Sequence, residues 1–217
     1  MIAIAFALEF ESAVFAAKHD RQLRVATWLL GAMGAGTAEV LAKKLASTRP
    51  RLVISAGFGG GLRPEIAVGD LVLATNYSAP EIVSQLSLGE GWHKGELVTV
   101  DAIVEKSEGK RLLGESTGAI VADMETAHLA RVCAEYGVPM LGMRGISDAL
   151  ADDMPVPANV LLNPATCRPD PLGLFRHLIT NPTCVTGFNK LLKNAKTAQT
   201  RLAEGLEEIL PQLLHIG

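Results

Sequence analysis

Short apolar runs alternate with amphipathic stretches along most of the chain, a pattern that predicts strand and helix in turn. Met1–Leu8 is apolar and bounded by Glu9 and Glu11, as a buried strand would be, and Phe10–Lys18 has the alanine-rich character of a helix. Arg24–Leu30 reads as a second strand. The glycine cluster Gly31, Gly34 and Gly36 then leads into a helix over Thr37–Ser47, with Thr37 as its N-cap and Leu41 and Leu45 on one face. Leu52–Ala56 is a strand-like run ending in the loop Gly57-Phe58-Gly59-Gly60-Gly61. Asp70–Thr75 is a strand introduced by a turn at Val68-Gly69, and 76–94 lacks periodicity, which suits loops and a sheet edge. Further on, Glu96–Val104 predicts a strand, Glu108–Ser116 a polar helix and Ala119–Ala122 a short buried strand. Thr126–Tyr136 predicts a helix stopped by Gly137, and Val138–Met143 a strand that delivers Arg144 and Asp148 to its carboxyl end.

This alternation is that of an α/β fold: one domain over 1–217, built on a mostly parallel, twisted central sheet flanked by helices. Two later segments differ. Ala151–Pro182 is proline-rich and predicts an irregular lid or interface arm, whereas Phe188–Leu214 has the spacing of a long amphipathic helix.

Composition narrows the partners. With 217 residues, 48% of them hydrophobic, the chain can bury a full core, and a net charge of -3 spread over interspersed signs offers no stripe for a nucleic-acid backbone. Cys133, Cys167 and Cys184 lie far apart, which fits reduced structural thiols, and the five histidines have no metal-ligand spacing, so no metal is expected. The apolar start lacks a basic leader, and no apolar run approaches the ~20 residues of a membrane-spanning helix. The expectation is a cytoplasmic protein without a membrane span.

Candidate chemistry sits at the strand ends. The glycine clusters invite a dinucleotide reading, but Leu62-Arg63-Pro64-Glu65 does not open a long helix after the second cluster, and no acid follows the first at the distance an NAD ribose needs. No cofactor is therefore expected. Glu11, the pair Asp123 and Glu125, and Asp148 all fall at or just past predicted strand ends. Each alone could cap a helix. Together they suit cleavage of a glycosidic bond, in which positive charge builds on the sugar and negative charge on the leaving group. One acid must then stay protonated through burial or a neighbouring carboxylate, and Asp148 at the end of an apolar strand is the candidate.

Gly57-Phe58-Gly59-Gly60-Gly61-Leu62 with Val68-Gly69-Asp70, then Asp123-Met124-Glu125-Thr126-Ala127, then Arg144-Gly145-Ile146-Ser147-Asp148, resemble in order and spacing the signature blocks of the nucleoside phosphorylase/nucleosidase family. The resemblance implies a nucleoside phosphorylase-like fold and a small-molecule nucleoside as substrate. It implies that Glu125 binds the ribose hydroxyls above Met124, that Asp148, steadied by Ser147, protonates or hydrogen-bonds purine N7, and that Glu11 activates water. Gly57 and Phe58 would border the nucleophile, and Ile103 and Val104 would stack on the base, with Ile103 where the family has an aromatic residue. Phe58 replaces a small hydroxyl residue that would hold phosphate or the nucleophilic water, and no arginine near Gly57 compensates, which favours hydrolysis of a 5′-modified adenosine; Arg144 or a residue from a neighbouring subunit is the anion partner if phosphate is the co-substrate instead. The stretches Leu97–Asp123 and Pro155–Pro182 look most like the hopanoid-associated phosphorylase branch, with Val156, Val160, Leu161, Leu162, Leu172, Leu174 and Phe175 as a candidate apolar channel for a lipid-linked 5′ group or, equally, a lid or subunit interface. A nucleoside-binding protein without activity is the other alternative, and the family implies a homodimer or larger homo-oligomer.

Overall fold

A computed structural model describes residues 1–19, 24–163, 168–169 and 171–216. The elements run β1 (Ile2–Phe6), α1 (Glu9–His19), β2 (Val25–Leu29), α2 (Gly36–Ser47), β3 (Leu52–Gly61), β4 (Leu71–Ala74), α3 (Pro80–Val83), β5 (Trp92–Gly95), β6 (Leu97–Thr99), α4 (Ser107–Thr117), β7 (Val121–Asp123), α5 (Thr126–Glu135), β8 (Met140–Asp148), α6 (Ala158–Leu161), β9 (Leu162–Asn163), β10 (Arg168–Pro169), α7 (Pro171–Thr180) and α8 (Cys184–His215).

Eight strands form one sheet in the order β2-β1-β3-β8-β4-β5, with β7 pairing β3 and β6. Five of the pairings are parallel; β4 against β8 and β7 against β3 are antiparallel. The sheet is thus mostly parallel, as the alternation of elements predicts. Residues of β1 show why both faces are covered. Ile2, Ile4 and Phe6 point into a core closed by α1 and α8, which supply Phe15, Leu202, Leu206 and Ile209. Ala3 and Ala5, on the opposite face by the period of two, meet Leu41 and Leu45 of α2 and Leu129 and Val132 of α5.

Several elements differ from the sequence-based expectations. The glycine run is no loop: β3 continues through Gly61, paired with β8 on one side and, at its end, with β7 on the other. Thr37 lies inside α2, its hydroxyl donating to Gly34 O at 2.6 Å, while Ala35 occupies the cap. The strand expected over Glu96–Val104 shrinks to the three residues of β6. The proline-rich segment contains helices α6 and α7 and a small β9–β10 ladder rather than being irregular throughout, because prolines at 157 and 171 stand where a helix begins and tolerates them. Cys167 and the side chain of Leu162 lie outside the described residues. Val156 is buried, whereas Leu172 and Phe175 are among the most exposed apolar side chains.

Candidate active site

One pocket opens at the shared end of β1, β3, β7 and β8. Glu11, Phe58, Met124, Glu125, Ser147 and Asp148 line it, as do Ile103 and Val104 from the segment between β6 and α4. Gly57 lies under Glu11 without lining the cavity.

The glycine run explains how so many carboxyl groups fit here. A Cβ on Gly57 would stand 2.8 Å from Glu11 Oε1, and one on Gly60 would stand 2.9 Å from Asp148 Oδ2. A strand bearing side chains at those positions would expel both acids. The β3–β8 register also shifts between Gly59 and Gly60: Gly59 faces Ile146 but Gly60 faces Asp148, leaving Ser147 as the extra residue of a bulge. That extra residue sets the Asp148 carboxyl over Gly60.

Glu11 lies in the first turn of α1, the helix after β1, and is buried. Its Oε2 accepts the Leu8 N–H at 2.9 Å and its Oε1 the Phe58 N–H at 2.9 Å. Burial raises its pKa; the two N–H donors and Arg144 pull the other way, and Asp123 adds to the rise. Glu125 accepts the Gly34 N–H at 2.8 Å, and Gly34 can point that N–H inward because it adopts φ 53°, a conformation glycine takes without strain. Burial pushes Glu125 up to about 7, against the Gly34 hydrogen bond and Arg144, with Asp123 and Glu11 adding to the rise.

Asp148 sits differently. Ser147 Oγ donates to its Oδ1 at 2.8 Å, and Lys110 Nζ donates to its Oδ2 in a short contact. Lys110 is 2% exposed, and its ammonium also reaches Ala149 O at 3.0 Å and Asp152 O at 2.9 Å. Of the two settings expected for Asp148, burial or a neighbouring carboxylate, the second is absent: its charged neighbour is the cation Lys110. The sequence does not mark Lys110, because α4 reads as a polar surface helix. The available signal was Gly114 one turn later: a Cβ there would lie 2.7 Å from Leu62 O, so this face of α4 presses on the end of β3.

Arg144 does not reach the pocket. It lies within β8, 2% exposed, with Nε and Nη2 on Asp123 Oδ2 at 2.9 and 2.6 Å, Nη2 also on Ser55 Oγ and Thr126 Oγ1, and Nη1 on Ser55 O. Asp123 in turn accepts the Thr126 N–H at 2.9 Å, tying the first turn of α5 to this pair. The expectation of Arg144 as a substrate anion partner fails because its donors are already used behind the pocket wall. Trp92 stands away from the pocket on the edge strand β5, its indole N–H donating to Glu208 at 3.0 Å. The apolar lining is completed by Met33, Leu62, Val100, Met154 and Leu191, none of them singled out in the sequence for this role.

The fold is an α/β one with a cluster of acids gathered at its strand ends, and comparison gives it a family. A family model described as the Phosphorylase superfamily matches residues 12–92 and 80–179, and the chain belongs to that family. It is 25% identical over 137 residues to a 5′-methylthioadenosine/S-adenosylhomocysteine nucleosidase of Exiguobacterium sp., covering 48% of this chain and 59% of the relative. It is 30% identical over 125 residues to futalosine hydrolase of Streptomyces coelicolor, covering 45% and 53%. The matched stretches thus span little more than half the length of these relatives. The crystal structure of a 5′-methylthioadenosine/S-adenosylhomocysteine nucleosidase from Neisseria meningitidis in complex with methylthio-immucillin-A superposes with a TM-score of 0.71 at 17% identity, covering 96% of this chain and 97% of that one. Among the described residues, no helix is long and apolar enough to cross a membrane.

Proposed function

We propose that the protein hydrolyses the N-glycosidic bond of a purine nucleoside of the adenosine type bearing an apolar 5′ group. The observation that carries this reading is the division of labour among three acids around one cavity. Glu125, beside Met124, is placed to bind the ribose hydroxyls. Glu11, held by two backbone N–H groups and with its pKa raised, suits the task of taking a proton from an attacking water. Asp148 with Ser147 faces the space left for the base.

Water rather than phosphate is favoured by the cations. Lys110 is the only Lys or Arg among the described residues lining the pocket, and its three donors are already engaged. Phosphate binding calls for free donors. The similar nucleosidase and futalosine hydrolase are named for hydrolysis, which agrees. The apolar wall of Met33, Phe58, Met154 and Leu191 suits a hydrophobic 5′ substituent. No cofactor or metal has a part in this reaction, the assembly is a homo-oligomer and its place is the cytoplasm.

The test is release of free base from adenosine, inosine, uridine, methylthioadenosine, S-adenosylhomocysteine, futalosine and a 5′-alkyl adenosine, each with and without phosphate. Purine release without phosphate, lost in Asp148→Asn, is the expected result. Strict dependence on phosphate would overturn the hydrolytic reading, and no release from any of them would overturn the enzymatic one.

A further inference from the structure

The hydrogen bonds around Asp148 raise a difficulty for an acid acting alone. Both of its oxygens accept: Oδ1 from Ser147 and Oδ2 from Lys110. A carboxylate ion-paired in this way needs a proton delivered to it before it can act as an acid. Lys110 has one to spare, because donating to Asp148, Ala149 O and Asp152 O at once takes the three N–H bonds of an ammonium, one more than a neutral amine possesses. The lysine also lines the same pocket. We infer that Lys110 is the proton source for the departing base, passing its proton through Asp148, so that the general acid of this site is the Lys110–Asp148 pair. The inference rests on the hydrolytic reading above.

The step balances. As the C1′–N9 bond breaks, its electron pair goes to the purine and N7 becomes basic. One proton leaves Lys110 Nζ for Asp148 and a proton passes from Asp148 to N7, so the lysine ends as a neutral amine, the aspartate again as a carboxylate and the base as a neutral purine. On the other side of the sugar, water adds to C1′ and gives its proton to Glu11. The charge summed over Lys110, Asp148 and Glu11 is -1 before and after. When products leave, Glu11 returns its proton to solvent and Lys110 regains one from water in the emptied pocket.

Surrounding groups leave this path to Lys110. Of the charged pairs nearby, Lys190 binds Asp152 at 2.6 Å and Lys106 binds Asp153 at 3.2 Å. Ser147 Oγ can hold Asp148 but, as an alcohol, is a poor acid. Burial of the lysine stem, enforced by the close approach of α4 to Leu62, fixes Nζ against the carboxylate, as a proton path requires.

The lysine differs from a mere clamp in one testable respect. Arginine could hold Asp148 just as firmly, yet a guanidinium does not give up its proton in a protein. The experiment measures kcat with the nucleoside that the wild type cleaves fastest, and Kd for a carbon-linked analogue of it whose bond cannot break. Lys110→Arg, Lys110→Met, Asp148→Asn and the double variant Lys110→Met/Asp148→Asn are compared. A loss of general-acid catalysis predicts kcat down on the order of 10²–10⁴-fold in both lysine variants. Analogue Kd should stay within about threefold, and the double variant should be no slower than the slower single one, as expected for groups acting as a unit. Near-normal kcat in Lys110→Arg would overturn the proton role, as would a parallel loss of analogue binding or losses that multiply in the double variant. If Arg does not fit the enclosed site, rescue of Lys110→Met by added alkylamines decides the matter: rates that follow the amine's acidity are expected, and equal rescue by guanidinium would overturn the proton role. A wild type without base release would instead refute the hydrolytic reading itself.

Discussion

Two buried cations of this protein are each paired with an aspartate, and they do opposite things. Arg144 and Lys110 are both 2% exposed. Arg144 on Asp123 lies behind the pocket wall, where Ser55 and Thr126 complete a closed network. Lys110 on Asp148 opens onto the cavity, and the Asp148 side chain retains 21% exposure where that of Asp123 retains none. The difference teaches that an ion pair's role follows from which face of the sheet end it occupies and whether its cation can part with a proton. The first pair fastens α5 to the sheet, and the second is the one to which we assign the proton.

The sharpest way to break this contrast is Arg144→Met. It strands Asp123 as an uncompensated buried charge, and stability should fall by about 3–5 kcal/mol in urea denaturation. Lys110→Met should cost less, about 1–3 kcal/mol, since water in the pocket can solvate the orphaned Asp148. Equal losses from the two variants would erase the distinction. Glu125, which has no cation bonded to it, provides a third case. Its pKa rises from 4.5 to about 7, so the folded state binds this proton more tightly than the unfolded state does. Its contribution is complete below pH 4.5 and is lost as pH climbs through about 7, on the order of 3 kcal/mol in all. Wild type and Glu125→Gln should therefore have similar urea midpoints at pH 5, while at pH 8.5 the variant should be the more stable. The smallest expected effect is that of Gly60→Ala. Its methyl would crowd Asp148 Oδ2, and a shift of that carboxylate away from Lys110 should lower kcat about tenfold with a stability loss of about 1 kcal/mol.

Much of the fold is legible in the sequence because strands buried on both faces carry apolar runs that nothing else in a chain of this size explains. Glu11, Glu125 and Asp148 are legible as a set because each follows such a run. What escapes is set by contacts across the fold. The glycines from 57 to 61 read as a loop, although they are strand residues whose missing side chains make room for acids from β8 and α1. Local sequence does not say which partner approaches. Arg144 and Lys110 exchange the roles their surroundings suggest for the same reason: an arginine just past a predicted strand end looks available to a ligand, and a lysine in a polar helix looks solvated, until the register of β8 and the tilt of α4 onto Leu62 decide otherwise.

The ladder between β3 and β8 has a consequence for how the molecule comes to be active. It joins Val53 to Met140 and Gly60 to Asp148 at the centre of the sheet, closing a long span of chain that includes β4 to α5. Such distant pairing is slow to nucleate and pays its loop entropy before any contact rewards it. Asp148 meets Gly60 only once that ladder has zipped to its end. The arrangement of the pocket therefore arrives with global folding rather than in a preformed subdomain, and on refolding from denaturant the return of the proposed base release should trace the same time course as the return of the sheet.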